Sequence, residues 1–202
     1  METTFRVPAL AAAFAAFLQI GPAQAVDPYK DLKVEQRAVV DRIPSTPTTA
    51  SAPAGAPKMS TKLNRADGNY RPGESVTLTV ETDRDSYVWV FDTGTSGRVH
   101  QLFPNRYAKD NFVRAGKPMI LPAADAKYQF VASEPVGPEL LTVIASPNKA
   151  SLTDDLIDRK TGAGAFLALQ GTGASLSKDI GITLKRDHPK AVVQHQVLRI
   201  VK

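Results

Sequence analysis

Apolar positions divide the chain into three regimes. Val7–Ile20 is an apolar run broken only by Pro8 and Gln19, preceded by Arg6 and followed by Gly21-Pro22 and Ala23-Gln24-Ala25. The run falls short of the roughly 20 apolar residues needed to span a bilayer, and small residues stand where a signal peptidase reads. Residues 1–25 are therefore expected to be a cleaved signal peptide, with the mature chain starting at Val26 and periplasmic. No transmembrane segment is expected in that mature chain. In residues 26–43, Tyr29, Leu32, Val39 or Val40, and Ile43 recur at roughly helical spacing, the pattern of a short segment able to dock on a partner. Residues 44–60 carry Pro44, Pro47, Pro53 and Pro57 among Ser, Thr and Ala, with Met59 their only large apolar side chain. Such a stretch buries too little apolar area to offset its ordering entropy and reads as a flexible linker.

Residues 61–202 switch to a strand pattern. Ser75–Thr82 alternates Val76, Leu78 and Val80 with Thr77, Thr79 and Glu81, the period of a half-buried strand, after a turn at Arg71–Glu74. Tyr87–Phe91 is apolar at every position. Tyr87, Trp89 and Phe91 fall on one face and Val88 and Val90 on the other, so this strand is expected to be covered twice, with Trp89 deeply buried. Asp92–Gly97 reads as a hairpin loop, Arg98–Phe103 as the next strand, and Pro104–Gly116 as a long polar loop. Lys117–Leu121, Tyr128–Ala132, Leu140–Ala145 and Ala191–Val201 continue the series. Gly or Pro turns every eight to twelve residues or so predict a mainly β fold. The expected architecture is an antiparallel β-sandwich, immunoglobulin-like or related, with one short helix near 153–160 capped by Thr153 and preceded by the linker. Gly171–Lys178 reads as a loop between strands.

Composition narrows the chemistry. The chain has no cysteine, which excludes disulfides, thiolate metal sites and a Cys nucleophile. A formal charge of +5 is mild; Lys178, Lys185, Arg186, Lys190, Arg199 and Lys202 allow an anionic cell-wall or outer-membrane component as partner. No aromatic platform interleaves these charges, so nucleic acid is not expected. Gly171–Lys178 lacks the spacing of a phosphate-binding loop, and Ser96 lacks a nucleophile elbow. His100, His188 and His195 form no metal-binding pair. Asp83, Asp85 and Asp92 flank one strand without a calcium-loop spacing. Paired carboxylates act through their separation in space, and no pair is singled out by the sequence. Neither a metal nor a cofactor is expected.

One ordered series stands out: Tyr70–Glu74, Val76–Val80, Ser86–Phe91, Gly97–Asn105, Asn111–Gly116, Ile120–Pro122 and Gly137–Ala145. Over about residues 65–146 it resembles a bacterial domain of unknown function, family 4384. The resemblance implies a β-rich extracytoplasmic or accessory module and brings no catalytic residues with it. Leu102-Phe103 buries bulk before Pro104-Asn105 turns the chain, and Gly116 suits a turn with positive φ. Loop exposure makes Asn105, Arg106 and Asn111 candidate partner-binding residues, alongside Tyr29, Leu32, Val39 and Ile43 of the N-terminal segment. The expected function is a non-enzymatic binding or scaffold module in a bacterial envelope or secretion-type assembly. The alternative is a hydrolase of cell-wall or secreted substrates with His100 in a cleft near the Pro104–Gly116 loop.

Overall fold

A computed structural model describes residues 54–153, 160–161, 165–169 and 173–202. The segments 1–25 and 26–43, and most of the 44–60 linker, lie outside the described residues, so Tyr29, Leu32, Val39 and Ile43 do too.

The fold is mainly β. Thirteen strands are described: β1 (Met59–Leu63), β2 (Asn69–Tyr70), β3 (Ser75–Val76), β4 (Leu78–Thr82), β5 (Ser86–Thr93), β6 (Val99–Phe103), β7 (Phe112–Val113), β8 (Met119–Leu121), β9 (Phe130–Val131), β10 (Gly137–Ser146), β11 (Lys160–Thr161), β12 (Leu167–Leu169) and β13 (Val192–Ile200). One helix, α1 (Gly173–Asp187), precedes β13. The large sheet runs β11-β12-β6-β5-β10-β13-β2, with β7 also on β5; a second sheet is β1-β4-β8, and β3 pairs with β9. Pairing is antiparallel except between β13 and β2.

β5 sits at the centre, and its alternation builds two cores. Val88 and Val90, with Leu141, Val143 and Leu198, meet Leu63, Leu78, Val80 and Leu121 of the smaller sheet. Trp89 and Phe91, with Ile144 and Val99, meet Leu176, Ile180 and Leu184 of α1. The expected double cover is present: Val88 and Val90 are wholly buried and Trp89 is 2% exposed, its ring edge-on to His188 at 5.3 Å. Side chains stitch the sheets together, since Gln194 Nε2 donates to the Met59 carbonyl (2.6 Å) and Gln196 Nε2 to Thr61 Oγ1 (2.7 Å).

Three expectations need correction. Ser75–Thr82 is two strands, because Asn64 takes Thr77 out of the ladder: its side-chain oxygen accepts Thr77 N–H (2.8 Å) and its own N–H donates to Thr77 C=O (2.9 Å). The Pro104–Gly116 loop contains β7, which extends the β5 edge beyond β6. The loop expected over Gly171–Lys178 runs into α1, whose Leu176, Ile180 and Leu184 recur every four residues and seal the Trp89 face. The expected helix near 153–160 falls largely on 154–159, outside the described residues. The Arg71–Glu74 turn closes as expected, with Glu74 N–H on Arg71 C=O (3.0 Å) and Gly73 at φ 91°.

Candidate functional site

Beyond the end of the smaller sheet, the face of the large sheet is not packed by β1, β4 or β8. There the β5–β6 hairpin, the start of β10 and the β9–β10 loop enclose a cavity of about 460 Å³. Its polar end comes from strand alternation. Val88, Val90 and Asp92 follow one another on the inner face of β5, while Glu139, Leu141 and Val143 do so on β10. Two carboxylates therefore occupy positions in phase with the core. A register shift between Val90 and Phe91 sets His100 opposite Asp92 and Phe103 opposite Val90, so both face inward.

The hairpin tip holds this arrangement together. Gly94 N–H donates to Arg98 C=O (2.9 Å), and Gly97 N–H to Gly94 C=O (2.8 Å) with Gly97 at φ 78°. Thr95 N–H donates to the Glu139 carboxylate. Gly137 (φ 145°) lets the tip nest, because a Cβ there would stand 2.6 Å from Thr95 Cγ2. A Cβ on Gly94 would lie 3.7 Å from Glu139 Oε1, 3.9 Å from Asp92 Oδ2 and 3.9 Å from Arg98 O, so both acids border one small open space.

Desolvation dominates the electrostatics. Burial, then the Glu139 charge, pushes the Asp92 carboxyl well above its ordinary range, and Asp92 Oδ1 is sealed from solvent with no hydrogen-bond partner. Burial pushes Glu139 up to about 7 against the stabilising Thr95 N–H. Burial and the Arg98 charge lower His100. Ser96 and Arg98 also line the cavity, and Phe130 and Phe166, 5.6 Å apart, form part of its apolar wall. Two adjacent acids, both raised by burial, can trade protons with a ligand or hydrogen-bond to it. No hydrogen bond links Ser96 or His100 to either acid.

The loop residues singled out earlier lie elsewhere. Asn105 is buried, with Nδ2 donating to Leu102 C=O (2.8 Å) and Oδ1 accepting Tyr107 and Ala108 N–H (2.9 Å each). Asn111 bridges the gap between β6 and β7: Nδ2 donates to Val88 C=O (3.1 Å), and Asn111 C=O accepts Val88 N–H (2.9 Å). Both asparagines bond the backbone through these groups, and Asn105 also bonds the Tyr128 side chain. Arg106 is exposed beside Tyr107, which is also exposed. Asp83 and Asp85 do not join Asp92; they accept N–H bonds from Lys58 (2.7 Å) and Ala115 (2.9 Å). His188 is buried, with Nδ1 2.9 Å from Ser146 Oγ. His195 lies on the opposite face of the sheet, in a mostly apolar cavity of about 400 Å³ under α1, its Nδ1 3.2 Å from Thr142 Oγ1.

Sequence reasoning missed the Asp92–Glu139 pair. The signal was the phase of the two strands, hidden because DTGTSG reads as a turn starting at Asp92, whereas β5 continues to Thr93.

Residues 69–149 match the family model described as Domain of unknown function (DUF4384). No curated protein and no solved structure gives a significant match. The matched span contains Asp92, His100 and Glu139 but neither α1 nor β13, whose Leu198 closes one side of the cavity.

Proposed function

We propose that this protein is an extracytoplasmic binding or scaffold module of a bacterial envelope or secretion-type assembly, and that the cavity at the β5–β6 hairpin is where it recognises its partner. One observation carries this reading. Asp92 lines a cavity large enough for a side chain or a sugar ring, and its Oδ1 is buried without a hydrogen-bond partner. Folded proteins rarely leave a buried carboxyl oxygen unsatisfied, and such an exception on a cavity wall marks a candidate binding site. The apolar run within 1–25, read as a signal peptide, and the proline-containing stretch at 44–60 support an extracytoplasmic module tethered beside an N-terminal recognition segment, whose weak contacts would add to those of the cavity.

The second reading, a hydrolase of cell-wall or secreted substrates, is favoured by one feature: an acid poised at about 7 beside a second acid in the same cleft. Incubation with isolated cell-wall sacculi and envelope extract separates the two. The binding reading predicts retention of the protein with no soluble fragments released, and loss of retention when Ser96→Trp obstructs the mouth. Release of fragments that disappears in Glu139→Gln would replace it with the enzyme reading.

A further inference from the structure

Building on the reading of this cavity as a recognition site, we infer that it takes an organic cation, a primary ammonium on an apolar stem such as a lysine side chain. The three atoms nearest to the space beside Gly94 are acceptor oxygens. Glu139 Oε1, Asp92 Oδ2 and the Arg98 carbonyl all lie within 3.9 Å of the point that a Cβ on Gly94 would occupy. An ammonium has three donors and no acceptor, the complement of such a cradle. The other oxygen of the same carboxyl, Asp92 Oδ1, is buried and unpartnered.

The rest of the cavity selects the kind of cation. Leu102, Leu141, Leu198, Phe130 and Phe166 line the space beyond the acids, giving a methylene stem an apolar surface to cover. A bare metal ion fits less well, because Ca²⁺ gathers about six to eight oxygens. No group of three His, Asp or Glu side chains suitable for a metal occurs among the described residues. An anion would meet two carboxylates at close range. The other charged or titratable groups around the cavity are Arg98 from the β5–β6 turn, His100 from β6 and Glu134 from the β9–β10 loop; Arg98 is exposed. Burial raises both carboxyls, so an arriving ammonium favours their ionised forms: any proton lost passes to solvent and a charge-assisted contact is left.

The test uses the whole protein and two probes with the same four-carbon stem, Nα-acetyl-lysine methylamide and N-acetyl-norleucine methylamide, with calcium chloride as a third arm. Amide resonances of Gly94, Thr95 and Arg98 report binding. The expected result is saturable shifts with the lysine probe and much weaker ones with norleucine. Affinity should fall by about tenfold or more in Glu139→Gln, whose charge is removed without change of shape. Gly94→Ala should do the same, since its methyl occupies the cradle without steric conflict. Circular dichroism matching the parent keeps loss of binding distinct from loss of fold. Equal response to both probes, no response to lysine, or a response to calcium alone would overturn the cation. Ser96→Trp separates the two levels of the argument: partner retention lost in Ser96→Trp but intact in Glu139→Gln leaves the recognition site standing and removes its cation.

Discussion

Replacing Glu139 by Gln should change how stability depends on pH more than it changes stability in acid. Glu139 titrates at about 7 in the folded protein against an ordinary value of 4.5, because the start of β10 places it in a desolvated cavity. The folded state thus holds this proton more tightly than the unfolded chain does. Its contribution is fully present below about pH 4.5, is lost as pH climbs through about 7, and is constant above. At about 1.36 kcal/mol per pH unit, that interval amounts to about 3 kcal/mol at most, since the side chain keeps some contact with solvent. Gln has no proton to lose, so the variant escapes the loss. Asp92 stays elevated in both proteins, burial being its larger cause. Urea unfolding followed by the single tryptophan, Trp89, measures the difference. At about pH 5 the two proteins should lie close together, and at about pH 8 the variant should be more stable by about 2–3 kcal/mol. Parallel stability curves from acid to alkali would refute a desolvated Glu139 and, with it, the described polar end of the cavity.

Other substitutions test the frame around the site. Trp89→Ala removes the ring between β5, α1 and His188 and should cost about 3–5 kcal/mol in chemical denaturation, enough to unfold a marginal domain. Gly137→Ala combines a left-handed φ of 145° with a 2.6 Å approach to Thr95 Cγ2. It should lower the melting temperature and shift the Thr95 and Gly94 amides, whereas Gly94→Ala, with no contact closer than 3.7 Å, should leave the melting temperature nearly unchanged.

What the sequence made legible follows from how local each cause is. The doubly covered β5 strand was readable because five consecutive apolar residues leave no solvent face, and the turns at Gly73 and Gly116 because only glycine takes their φ of 91° and 66° without strain. The break at Thr77 was not readable, since it depends on Asn64, thirteen residues earlier in the chain and next to it only after folding. Helix α1 was masked by Gly173 and Gly181, although Leu176, Ile180 and Leu184 carry its period. The site was half visible. Asp92 and Glu139 each continue an alternation of buried positions, the mark of a polar residue placed inside on purpose. That the two share one cavity depends on the β5–β10 register, in which Asp92 faces Leu141, two residues from Glu139. Loop exposure misled for Asn105 and Asn111, whose amides close backbone gaps.

The central claim, that the β5–β6 cavity meets the partner, is tested most directly by photo-crosslinking in intact cells. A photoreactive residue at Ser96, on the cavity wall, is compared with one at Ile182, which is 53% exposed on α1. The account predicts a discrete adduct with an envelope component from position 96 and none from position 182. An adduct from 182 with none from 96 would place recognition on the helix and contradict it.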